Sequence, residues 1–394
     1  MLRFPLRAGR RPLALTLAAL TALTALSALT ACADQLDPVE PEGPPVADGG
    51  GAGRQDLGSV PNQTQWADGY VQVEQSNIDV YVPGPSYSFN RAARSGGALT
   101  VTKVAGTTGR YVATFPHLSA YLGGRSTVHV SGFYGDSYFY YDTYCKPAAA
   151  YLVSDKVEVR CFKASTGQPA NAEFTLLVTR NYFDLAFAYA HQETGTNYSP
   201  SSRGSWNPAG TSTVVRSGVG QYRVTFNNLG TQLPPDVFGH VQVNAVGTSN
   251  AYCNAYNWGT NGSPNLFVDV RCYATPTGAP VDRRFTVLFL LPADHLAYAW
   301  ADKPTAASYA PLAYYSSNPA RGPITITRLG VGRYTVDWAY ADRDLFDLGN
   351  LQVTAYGGNA LCRIGSHLRT GAFVQCFAPN GAPADSRYMV LLGS

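Results

Sequence analysis

"VEVRCF" at Val157–Phe162, "VDVRCY" at Val268–Tyr273 and "FVQCF" at Phe373–Phe377 are one strand written three times. Val157, Val159 and Cys161 share one face, as do Val268, Val270 and Cys272, which is the period of two of a strand with one buried side. Each thiol is therefore expected to point into a core. A cysteine recurring at one place in three similar strands asks for an internal repeat, and the rest of the chain supplies it.

Upstream of each cysteine strand lies a "GxY" strand: "GRYVATF" (109–115), "GQYRVTF" (220–226) and "GRYTVDW" (332–338), at a spacing close to 111 residues. "VHVSGFYG" (128–135), "VQVNAVG" (241–247) and "LQVTAYG" (351–357) recur in the same order, and "EFTLLV", "RFTVLF" and "RYMVLL" close each copy. In the middle copy Val241, Val243 and Ala245 would face inward, with Gln242 and Asn244 facing out. About seven candidate strands fit each unit, beginning with "LAFAYA" or "LAYAWA". The charged fraction is only 14%, while Tyr, Gly and Pro are abundant, which suits short strands joined by turns. The fold class read from this is all-β: three tandem antiparallel β-sandwich repeats of about 110 residues, at 66–182, 183–293 and 294–394. The repeats resemble immunoglobulin-like sandwich domains in architecture only, because the Cys…Trp…Cys pattern of true immunoglobulin domains is missing. "FTLLVTRNYFDLAFAYA" and "FTVLFLLPADHLAYAWA" bring the last strand of one unit close to the first of the next, a spacing that suits a hairpin across the boundary. A linear array is the preferred arrangement, with a ring closed by the chain ends as the alternative.

Seven cysteines divide into Cys32 and one pair per repeat: Cys145 with Cys161, Cys253 with Cys272, and Cys362 with Cys376. Six cysteines allow fifteen pairings in principle, but one pair per repeat selects the local one. Bridges of this loop length are worth about 3 kcal/mol each in the chain-entropy model and belong in an oxidising compartment. Two thiols per unit without a neighbouring His pair make a poor zinc site.

The N-terminal residues agree with that compartment. Arg3, Arg7, Arg10 and Arg11 precede the apolar run "PLALTLAALTALTALSAL", followed by "LTAC" at Leu29–Cys32, the order of a secretory signal. "LTAC" resembles the lipobox of bacterial lipoproteins. The resemblance implies a signal peptide at 1–31, lipid on Cys32, and a mature chain anchored to the cell envelope, at the outer membrane or cell surface. Residues 32–65 are dominated by Pro, Gly and acids and read as a disordered tether. Without the four N-terminal arginines the chain carries 25 basic and 26 acidic residues. A nearly neutral chain with no Lys/Arg cluster lacks the footprint of a nucleic-acid binder.

No nucleophile motif stands out: G-x-S-x-G and S-x-x-K are absent, and the six histidines are scattered without H-E-x-x-H. Asp342, Asp344 and Asp347 in "YADRDLFDLGN" lack calcium-loop spacing. The expectation is no catalytic residue, no metal site and no cofactor. Aromatic loops remain as candidate ligand contacts, since a flat apolar face with a polar tip suits sugars and protein partners. These are Tyr138, Tyr140 and Tyr141 in the first repeat, and Tyr256 and Trp258 in the second. The function read from the sequence is a non-enzymatic, lipid-anchored envelope protein with a structural, adhesive or protein-interaction role. The partners expected are the membrane through Cys32 and an envelope protein; the alternative is a glycan bound through exposed Tyr/Trp loops.

Overall fold

The computed structural model describes residues 67–93, 96–134, 142–260, 262–293, 295–341, 349–368 and 370–393. The first repeat contributes β1 (Gly69–Val73), β2 (Val80–Tyr81), β3 (Ser88–Asn90), β4 (Thr100–Lys103), β5 (Arg110–Thr114), β6 (Ser126–Phe133), β7 (Thr143–Pro147), β8 (Lys156–Lys163) and β9 (Glu173–Arg180). The second contributes β10 (Leu185–Ala190), β11 (Asn197–Tyr198), β12 (Ser212–Gly218), β13 (Gln221–Phe226), β14 (His240–Ala245), β15 (Ala251–Gly259), β16 (Leu266–Ala274) and β17 (Phe285–Leu290). The third contributes β18 (Leu296–Ala301), β19 (Ser308–Tyr309), β20 (Ile324–Gly330), β21 (Arg333–Trp338), β22 (Asn350–Tyr356), β23 (Leu361–Leu368), β24 (Gly371–Phe377) and β25 (Arg387–Gly393). Among the described residues no helix is long and apolar enough to cross a membrane.

The protein is all-β, and each repeat is an antiparallel sandwich. In the second repeat a small sheet β10-β17-β14 packs on the run β11-β12-β13-β16-β15. Their facing sides interdigitate: Val241, Val243, Phe285 and Val287 of the small sheet meet Tyr222, Val224, Val268 and Val270 of the large one. The first and third repeats build equivalent cores. The two-residue edge strands β2, β11 and β19 go beyond the seven strands per unit expected from sequence, because two residues are too short to display an alternation.

The expected disulfides are all formed. Cys145–Cys161, Cys253–Cys272 and Cys362–Cys376 are directly opposed cross-strand pairs with Cα separations of 4.0, 4.0 and 4.1 Å. The "GxY" motif is the other half of the same joint. Gly109, Gly220 and Gly332 have φ of 67°, 65° and 66°, where a side chain is strained. A Cβ there would also fall 2.2–2.6 Å from the carbonyl oxygen of Cys161, Cys272 or Cys376. Each glycine carbonyl accepts the amide of that same cysteine, so the turn and the staple lock one another.

Between the first two repeats, among the described residues, β9 pairs with β1 and β6 while β10 pairs with β17, so no hairpin crosses that boundary. The chain passes instead from one small sheet to the next. The repeats then join at three equivalent places: Gly247 N–H donates to Pro147 O, Gly357 N–H to Ala255 O, and Tyr134 N–H to Ile364 O. The last of these links the third repeat back to the first. The repeats are tandem in sequence, but in space they close into a ring and do not form the expected linear array.

Candidate functional site

Ring closure places the "VHVSG", "VQVNA" and "LQVTA" strands side by side on the axis. Their apolar residues serve the sandwiches, so the alternate polar residues, expected to face out, face one another. Gln242 is only 2% exposed and Ser131 4%, which corrects the outward reading. Three polar side chains then bridge the strands in a cycle. Val353 N–H donates to Ser131 Oγ (2.9 Å), Val243 N–H to Thr354 Oγ1 (3.0 Å), and Val130 N–H to Asn244 Oδ1 (2.6 Å). Each link runs from one repeat to another, and the third closes the circle.

Deeper on the axis, His129 Nε2 lies 3.1 Å from Thr286 Oγ1 and 3.2 Å from Thr127 Oγ1, and His240 Nε2 lies 2.7 Å from Gln242 Nε2. Burial pushes both imidazoles down to about 3, so they are neutral at ordinary pH. A cavity of about 40 Å³ opens among Ser131, Asn244, Thr354, Tyr144, Tyr252 and Leu361. That is room for about three waters and not for a sugar ring. Tyr144 OH donates to Asn250 O and meets Thr275 Oγ1 at 3.0 Å, and Tyr252 OH donates to Asn359 O, each reaching into the next repeat. The axis is a polar joint, and its hydroxyls are spent on joining.

The carboxylates beside the "GxY" strands are likewise committed. Asp282 takes Arg216 in a two-pronged contact at 2.8 and 2.6 Å and also accepts Gly220 N–H and Tyr222 OH. The Arg216 hydrogen bonds, ahead of the other contacts, hold its carboxyl below the usual range. Asp385 repeats this with Arg328, Gly332 and Tyr334. Burial opposes its ionisation, but those donors outweigh it and its carboxyl also lies low. These acids fasten the turn after Gly218 or Gly330.

Of the residues singled out from sequence, Cys32, Tyr138, Tyr140 and Tyr141 lie outside the described residues, as do Asp342, Asp344 and Asp347. Tyr256 and Trp258 lie on strand β15 and not on a loop. Trp258 is 5% exposed; its indole packs edge-on against Trp300, Tyr315 and Tyr356 and its Nε1 donates to Phe238 O. Its reading as an exposed aromatic is therefore corrected: it fills the contact between the second and third repeats. Tyr256 is 38% exposed, pushed outward by a bulge between Ala255 and Asn257.

Around Tyr256 lie residues the sequence reading did not single out. The Arg271 guanidinium sits 3.7 Å over its ring, Arg387 lies 5.5 Å over Tyr356, and the exposed Asn257 follows on the same strand. Arg223 grips Asp269 at 2.7 and 2.9 Å. The one available signal was the "VDVRCY" arginine itself, whose register beside a bulged tyrosine only the fold reveals. The chain matches no known family model, no curated protein and no solved structure.

Proposed function

We propose that this protein is an exported, lipid-anchored scaffold of the cell envelope that acts by presenting binding surface to other envelope components and not by turning over a substrate. The observation that carries the reading is the closed ring of disulfide-joined repeats, whose interior hydroxyls, amides and histidines tie repeat to repeat. What is left to meet a partner lies on the outer sheet faces. One staple per repeat supports an oxidising location, and the lipobox-like "LTAC" supports attachment at Cys32.

Membrane fractionation of Cys32→Ser against the parent chain tests the anchor. The variant is expected in the soluble fraction, and a variant that stays with the membranes overturns the lipid reading. Sedimentation of the purified protein with isolated envelope fragments tests the binding role. Failure to co-sediment, together with turnover of any ester, peptide or glycoside substrate, would replace the scaffold with an enzyme.

A further inference from the structure

The three junctions of the ring share one backbone and differ in what they show to solvent, and that difference points to a ligand. At the junction of the second and third repeats, the parallel bridge Ala255↔Tyr356 sets Tyr256 beside Tyr356, and Arg387 stands opposite Tyr356 on the neighbouring strand. Two arginines thus lie over two tyrosines. Neither guanidinium is paired with a carboxylate among the described residues. Asp269, the nearest acid on the Arg271 strand, is gripped through both oxygens by Arg223.

The equivalent junctions lack this set. Between the first and second repeats, Arg160 stands where Arg271 does, but it is bound to Glu158 at 2.5 Å, and Arg110 shares that carboxylate at 3.0 Å. Arg284 replaces Arg387 and lies 3.7 Å from Glu193, and Val246 replaces Tyr356. Between the third and first repeats, Gln375 replaces Arg271, Gly365 replaces Tyr256, Glu173 replaces Arg387 and Phe133 replaces Tyr356. Holding the ring together does not require this set: the first junction has neither tyrosine and ties its two arginines to Glu158 and Glu193, and the third has none of the four side chains. Their presence together at one junction calls for another reason.

We propose that this junction binds a polysaccharide bearing carboxylates, a polyuronate, along the outer sheet face. A guanidinium held over a tyrosine ring and not paired with an acid can turn an N–H edge to solvent, and that edge matches a carboxylate with two parallel hydrogen bonds. Tyr256, 38% exposed, offers its hydroxyl and the part of its ring that Arg271 leaves open to the sugar, and Asn257 a donor and an acceptor to its hydroxyls. The site lies on a sheet surface and not in a cavity, which suits a polymer lying across strands. Two cations without acids, Arg271 and Arg387, select the acidic sugar over a neutral one. The proposal rests on the scaffold reading only in placing the polymer outside the cell; binding in solution is measured independently of the Cys32→Ser result.

The test is affinity electrophoresis of the full chain in mild detergent, through gels holding polygalacturonate, dextran or poly-glutamate. Polygalacturonate is expected to retard the protein, less so as salt rises, while dextran does not. Arg271→Gln and Arg387→Glu, which install the residues of the third junction, are each expected to weaken the retardation roughly tenfold or more. Both are surface substitutions, so the fold is kept. Arg160→Gln at the first junction should leave it unchanged. Absence of retardation by polygalacturonate overturns the proposal, as does retardation indifferent to Arg271→Gln or equally lost in Arg160→Gln. Retardation by poly-glutamate as strong as by polygalacturonate also overturns it, and assigns the surface to an acidic polypeptide.

Discussion

Each small sheet of the ring has two buried faces, and the two are made of different matter. The face turned into its own sandwich is apolar, with Val241, Val243, Phe285 and Val287 in the middle repeat. The face turned to the axis carries Gln242, Asn244 and Thr286 there and His129, Ser131 and Gln352 from the neighbouring repeats. In an isolated sandwich such a face would be wet. Here the other repeats cover it, and Ser131, Asn244 and Thr354 find their partners in a neighbour. The apolar face makes a repeat fold; the polar face dictates which repeats meet and in what register, because a hydrogen bond tolerates less slip than a methyl contact. The largest effect expected from breaking this division is on the apolar side. Phe285 is fully buried beside Tyr222, with ring centroids 5.0 Å apart. Phe285→Ala should destabilise the protein by about 3–5 kcal/mol in urea unfolding.

The axis answers to a different variable, pH. His129 and His240 are wholly buried and held neutral down to about 3, whereas in the unfolded chain they would titrate near 6.5. As pH falls below that value the unfolded chain takes up protons that the folded one refuses. Stability is therefore full above about 6.5 and is lost progressively toward 3. At pH 5 the loss should be about 2 kcal/mol for each imidazole, read as a fall in Tm between pH 7 and pH 5. His129→Gln installs the residue found at the equivalent positions, Gln242 and Gln352, and should remove one imidazole's share, about 2 kcal/mol at pH 5, of an acid sensitivity to which the buried His367, held down to about 4, also contributes. A smaller effect is expected from Thr354→Val, which keeps the shape but leaves Val243 N–H and Gln242 Oε1 without the hydroxyl they share at 3.0 and 2.7 Å. The cost should be about 1–3 kcal/mol by denaturation.

The contrast between the two faces also explains how far the sequence could be read. The period of two in "VDVRCY" and the recurring glycine of "GxY" report local geometry, so the strands, the repeats and the cysteine partners were all legible. The destination of the alternate face was not. Gln242 and Asn244 have the pattern of solvent-facing residues, and nothing within a strand says that a third repeat will return to cover them. Trp258 was misplaced for the same reason: its burial depends on Trp300 and Tyr315 of the next repeat, more than forty residues away in the chain. The Arg271 surface was illegible because it depends on which acid each arginine finds, and "VEVRCF" and "VDVRCY" look alike until Arg223 is seen to hold Asp269.

The outer faces of the large sheets set the baseline against which both buried faces are measured, and there the effect on stability should be least. Arg223 is half exposed, with 49% of its side chain accessible, and its contact with Asp269 is screened by solvent. Arg223→Gln should therefore change stability by less than about 1 kcal/mol. Its consequence for binding is a separate matter. In the first repeat, Glu158 accepts Arg160 two residues along the same strand at 2.5 Å, and Asp269 and Arg271 stand in the same relation. Once Arg223 is gone, Asp269 is free to draw Arg271 off the Tyr256 ring and neutralise it. Arg223→Gln should then leave the thermal transition almost unmoved while weakening retardation by polygalacturonate, although Arg223 would touch no ligand. The double variant Arg223→Gln with Asp269→Asn removes the competing acid and should restore the retardation. If the single variant binds as the parent does, the pairing of Arg223 with Asp269 is not what keeps Arg271 available.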